Sequence, residues 1–250
     1  MSTEFVNLAG YHGKVPKHGD FVSRGLPNTF IGTWDVWLQE AIHTSQQQLG
    51  NNWLNYYLTS PLYRFVLSRG ICGDMTWMGT MMPSVDKVGR YYPMTIGLNY
   101  PPGLNPFLAL QNNKDWFEQV EQLTLSCLND DFNLENFYQS ICQLTPATSS
   151  NTSDNSEPFI NQLKELAFPD SLRHPLSSTS QMSEILPFIL DSLLKDHALA
   201  YSVWWTQGSD HVEPSLLICT GLPSFDGISA MFDGNWQQWG WEGKRHTIQL

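Results

Sequence analysis

The chain has 250 residues, 41% of them hydrophobic and 13% aromatic, enough apolar surface for a buried core, which excludes global disorder. Its 24 acidic and 13 basic residues leave a net charge of −11, a sign that repels a phosphate backbone and argues against nucleic acid as a partner. No apolar stretch approaches the roughly 18 residues that span a bilayer. The first residues also lack the basic-then-apolar order of an export signal, so a cytoplasmic protein not integral to a membrane is expected.

In chain order, a Gly-rich opening (Gly10, Gly13, Gly19, Gly25) reads as loop. The spacing of Phe30, Trp34, Trp37, Leu38, Ala41 and Ile42 then predicts an amphipathic helix ending near Gly50. A short helix over 53–58 stops before Pro61. Three aromatic and branched segments, 62–67, 75–82 and 92–98, read as an antiparallel meander, with 83–90 as an exposed loop. Two helices follow, around Trp116 to Leu128 and Leu134 to Ile141. The polar run 145–157 reads as a flexible internal linker. A helix over 183–195, interrupted at Pro187, leads into strands at 199–206 and 215–219. This order predicts an α/β three-layer sandwich, in which a mixed, largely antiparallel sheet of about five strands carries helices on both faces. The late strands need the early sheet, so residues 1–250 are expected to form a single domain. Trp204 and Trp205, adjacent in a strand, are expected on opposite faces, and Trp236, Trp239 and Trp241 as partly exposed anchors.

Residues 1–95 hold seven Lys/Arg against six Asp/Glu, while the remainder holds six against eighteen, so the two parts present different electrostatic faces. Four scattered cysteines, Cys72, Cys127, Cys142 and Cys219, form no Cys-x-x-Cys pair and read as reduced, buried thiols. The densest group of reactive side chains is His12, Lys14, Lys17, His18, Asp20, Ser23 and Arg24 among glycines. It lacks phosphate-loop spacing, and Val15 stands where a metal-binding hydroxyl belongs. His12, His18 and Asp20 are possible metal ligands without a second cluster to complete them. Ser84 and Asp86 lack the nucleophile-elbow pattern of a triad. No catalytic residue, cofactor or metal is therefore assigned. Lys87 and Arg90 share a loop with Asp86, and an exposed Arg suits an acidic surface or a phosphorylated segment.

Taken together, GKVPKHGDFVSR (13–24), WDVWL (34–38), YLTSP (57–61), YRF (63–65), Gly79, PSVDKVGRYYP (83–93), SVWW (202–205) and GLP (221–223) resemble the TagF family of type VI secretion-associated proteins. The resemblance runs in order over residues 9–98 and again over about 200–236. It implies an α/β sandwich and a cytosolic, post-translational repressor of this bacterial injection machine. Such a repressor acts by protein binding on secretion components, with a forkhead-associated scaffold protein as the expected partner. The partner-binding residues expected are Lys14, Lys17, Asp20, Arg24, Asp86, Lys87 and Arg90, provided that their two loops meet. The alternative is a metal- or phosphate-dependent enzyme acting on a phosphorylated secretion component through His12, His18 and Asp20.

Overall fold

The computed structural model of the protein describes residues 8–100, 105–147 and 182–241. Seven strands form one sheet: β1 (Ala9–Gly13), β2 (Val22–Arg24), β3 (Tyr63–Leu67), β4 (Thr76–Met82), β5 (Met94–Tyr100), β6 (Tyr201–Thr206) and β7 (Ser215–Thr220), in the order β2-β1-β5-β4-β3-β6-β7. Every pairing of these strands is antiparallel. The expected meander is β3-β4-β5, and the late strands join it where β6 pairs with β3.

Helices cover both faces, which gives the three-layer α/β sandwich. One face carries α1 (Asn28–Leu49), α2 (Trp53–Thr59) and the short α7 (Ala230–Asp233). The other carries α3 (Pro106–Asn112), α4 (Lys114–Leu125), α5 (Leu134–Gln143) and α6 (Met182–His197). Strand alternation divides the core between the two faces. Phe65, Trp77, Met81 and Trp204 point to the first, while Val66, Met78, Met82, Ile96 and Leu98 point to the second.

Helix α1 forms because Phe30, Trp34, Trp37, Leu38, Ala41 and Ser45 recur on one side and are buried there, and it ends at Gly50, whose φ of 52° few other residues adopt. Trp34 stacks on Trp204, with ring centroids 5.8 Å apart and planes 7° from parallel, and both rings are fully buried. Gly10, Gly97 and Gly79 lie side by side across β1, β5 and β4. A Cβ at Gly79 would come within 2.7 Å of Phe65 Cζ and one at Gly97 within 3.3 Å of Leu26 Cδ2, so the row leaves room for the side chains packed on this face. Two indoles on this face find acceptors: Trp34 Nε1 donates to Thr95 Oγ1 at 3.0 Å and Trp37 Nε1 to the Pro223 carbonyl at 3.0 Å. Trp205 takes the other face, against Phe117, as strand alternation requires.

Several expectations are corrected. The Gly-rich opening contains two strands, β1 and β2, which raises the sheet from about five strands to seven. Helix α6 runs through Pro187 without interruption, and Asn105 Nδ2 donates to the Pro187 carbonyl at 2.8 Å. Asn105 also begins α3, its Oδ1 accepting from the Phe107 and Leu108 N–H groups ahead of Pro106 at the first turn. Cys142 is exposed and Cys219 only half-buried, so Cys72 and Cys127 alone are core thiols. Trp236, Trp239 and Trp241 are partly exposed as expected, but two of them are also bonded within the chain: Trp241 Nε1 donates to the Gly227 carbonyl and Trp239 Nε1 to Asp233. Most of the expected linker, from 148 onward, lies outside the described residues. Among the described residues no helix is long and apolar enough to cross a membrane. A cavity of about 20 Å³ between α1, α2 and α7, lined by Trp37, Ala41, Tyr57 and Met231, has room for little more than a water molecule.

Candidate interaction surface

The loop joining β1 to β2 and the loop joining β4 to β5 leave the sheet at the same end, because β1 and β5 pair with His12 opposite Thr95. Gly13 makes their approach possible. At φ 148° it lies so close to β5 that a Cβ would stand 2.2 Å from the Pro93 carbonyl oxygen. Pro16 then sits in a turn closed by the His18 N–H on the Val15 carbonyl at 3.1 Å.

The two loops are tied through Asp86. Its Oδ2 accepts from Lys14 Nζ at 2.6 Å and from Arg90 Nε at 2.7 Å, and its Oδ1 from the Val88 and Arg90 backbone N–H groups at 3.0 and 2.9 Å. Burial pushes the Asp86 carboxyl pKa up, but these charged and backbone donors outweigh it and hold the pKa below the usual carboxylate range. Two further ties cross between the loops: the Lys87 N–H donates to the His18 carbonyl at 3.0 Å, and Arg90 Nη2 donates to the Gly19 carbonyl. The two loops, whose meeting the expected site required, are therefore one structure.

An aromatic patch continues it. Phe21 stacks on His12, meets Tyr92 edge-on at 4.8 Å between centroids, and lies 4.9 Å beneath Lys14 Nζ. The Tyr92 hydroxyl donates to Asp35 Oδ1 at 2.8 Å. Neither ring nitrogen of buried His12 meets a polar partner, and burial lowers its pKa, with Asp35 opposing the shift. Ser84 Oγ is likewise buried without a partner.

The seven residues expected from sequence separate into two groups. Lys14 and Asp86 are buried and give the surface its shape, whereas Lys17, Asp20, Arg24, Lys87 and Arg90 are exposed. Arg90 stands 4.0 Å from Asp20, while Lys17 and Lys87 join no ion pair among the described residues. Arg24 is held apart from this knot, on edge strand β2, where it pairs with Glu135 of α5 at 2.6 Å and lies 4.0 Å over the Tyr138 ring. Two exposed apolar residues were missed, Phe21 (45% exposed) and Val88 (67%). Their sequence signal is an apolar side chain inside a charged, glycine-containing turn. His12, His18 and Asp20 do not converge on a metal: among the described residues no three His, Cys, Asp or Glu side chains do.

Residues 10–144, which include both loops, match the family model described as the TagF N-terminal domain, type VI secretion system-associated. Among solved structures, the chain is similar to the crystal structure of PA0076 from Pseudomonas aeruginosa PAO1, at 35% identity over 90% of this chain and 94% of that one, with a TM-score of 0.71. No curated protein matches it.

Proposed function

The chain belongs to the TagF family, and from that premise we propose that it represses bacterial type VI secretion after translation, binding a secretion protein through the end of the sheet where its two loops are joined. Membership makes it a type VI secretion-associated regulator rather than an enzyme.

The observation that carries the proposed surface is the Asp86 knot. A buried carboxylate that accepts from both loops fixes the backbone carrying the exposed side chains before any partner arrives, which lowers the ordering cost of binding. Phe21 and Val88 supply apolar contact area, with Lys17, Lys87 and Arg90 beside them and Asp20 as the one exposed acid. Such a face fits an acidic surface or a phosphorylated segment. A forkhead-associated scaffold protein is the partner we assign, and the cytoplasm is where the two would meet. Arg24 extends the surface onto β2. We also treat all 250 residues as one domain, a reading supported by the pairing of β6 with β3.

An affinity capture from the native bacterium tests this, with wild-type chain beside a Lys17→Glu/Lys87→Glu variant. Wild type is expected to recover type VI components, a forkhead-associated protein among them, and the variant to lose them at unchanged melting temperature. Capture by the folded variant, or no secretion component with wild type, overturns the proposal.

A further inference from the structure

The two edges of the sheet are built differently. β2 has three residues, and its Arg24 is engaged by α5, both of which blunt an edge against pairing. β7 has six residues, with no proline and no charge, and residues 214–225 as a whole contain no charged side chain. Leu216 and Ile218 on it are 62% and 46% exposed.

The register shows where its backbone points. The Ser68 N–H donates to the Tyr201 carbonyl, so Tyr201, Val203 and Trp205 bond toward β3, while the Gly221 N–H donates to the Ala200 carbonyl on the opposite side. In an antiparallel ladder the bonded pairs alternate, so Ser215, Leu217 and Cys219 face β6 and the N–H and C=O groups of Leu216, Ile218 and Thr220 face outward. Among the described residues no strand pairs with that edge. The same three residues carry the exposed side chains, so a free ladder and an apolar strip coincide.

We propose that β7 pairs with β7 of a second copy of this chain, antiparallel about a two-fold axis at Ile218, and extends the sheet across both copies. The register is self-complementary. Ile218 falls opposite Ile218, and Leu216 opposite Thr220, so all three outward residues on each strand find partners. Pro214, which has no N–H, ends the ladder. Charge permits a second copy here: two chains each carrying −11 repel overall, but least along a stretch where neither brings a carboxylate. In this register the two Glu213 side chains stand about 33 Å apart along the strand direction, beyond the screening length at physiological salt.

Sedimentation velocity of the full chain over a concentration series, with hydrogen exchange at β7, tests this. Wild type is expected to dimerise and to protect the Leu216, Ile218 and Thr220 amides. Ile218→Lys, which places like charges face to face, is expected to sediment as a monomer with an unchanged circular dichroism spectrum and rapid exchange at those amides. Thr220→Pro removes an outward N–H without breaking the bond to β6 and gives the same result, while Val36→Lys on exposed α1 surface leaves the dimer intact. A wild type that is monomeric throughout overturns the proposal. Protected amides would then mean that the chain covers its own edge, and rapid exchange would mean an edge left for another protein. A dimer that survives both β7 variants overturns it as well.

Discussion

Lys14 and Asp86 stand 72 residues apart in the chain, yet their side chains meet at 2.6 Å and neither is more than 5% exposed. Removing one member of such a pair strands the other charge in the interior. Asp86→Asn is therefore expected to lower the melting temperature more than Lys17→Ala does, and to raise hydrogen exchange over residues 15–21 and 87–90 together. Lys14→Met in the same chain is expected to recover part of the lost stability. A double-mutant cycle by chemical denaturation reads the coupling.

His12 gives the fold a dependence on pH. Its pKa is lowered in the folded state by burial, so the unfolded chain binds its proton more readily. Stability is then lost as pH falls below about 6.5, where an unperturbed histidine titrates. Asp35 opposes the shift by favouring the charged ring, but burial outweighs it. His12→Phe, which leaves no unpartnered ring nitrogen, is expected to flatten the melting temperature between neutral and mildly acidic pH. Asp86 has a lowered folded pKa, so its contribution is present above the ordinary carboxylate range and is lost only as pH falls through that lower value.

The stack of Trp204 on Trp34 closes the core where the late strands join the early ones. Both rings are fully buried and Phe65 lies against each of them. Trp204→Ala is expected to cost about 3–5 kcal/mol, the usual penalty for truncating a buried aromatic. Trp239→Ala, at a half-buried ring, is expected to cost less. Urea titrations followed by circular dichroism compare the two.

Binding through Lys17, Lys87 and Arg90 is expected to be sensitive to salt. Association with the secretion partner should slow as ionic strength rises, because exposed charges steer encounter and are screened beyond roughly 10 Å at 0.1 M salt. Stopped-flow or surface measurements of the association rate, on wild type and on a charge-removing Lys87→Gln variant, check this; the variant's rate should depend less on salt.

Periodicity exposed much of this fold. The buried residues of α1, the β3–β5 meander and the opposite facing of Trp204 and Trp205 all follow from local spacing. β1 and β2 did not, because glycine weakens a strand locally; here Gly10 permits an approach so close that a Cβ would stand 2.2 Å from the Arg24 carbonyl oxygen. α3 was legible in principle, since Asn105 followed by Pro106 is a helix-start signal. At the site, residue types marked both loops, but only packing across 72 residues shows that Lys14 and Asp86 neutralise each other inside while Lys17 and Lys87 remain outside.

The joining of β6 to β3 also governs how the chain must be made. The groups that seal β3 come from residues 133 to 144 positions further along, as with Ser68 and Tyr201 or Leu62 and Thr206. At about 5–20 residues per second of synthesis, β3 waits roughly 7–30 s for its neighbour. Throughout that interval Tyr63–Leu67, every residue of which is buried in the finished protein, forms an open apolar edge. A ribosome-bound chain stalled before residue 201 should therefore bind chaperones that the completed chain does not, and a fragment ending near residue 144 should aggregate through β3.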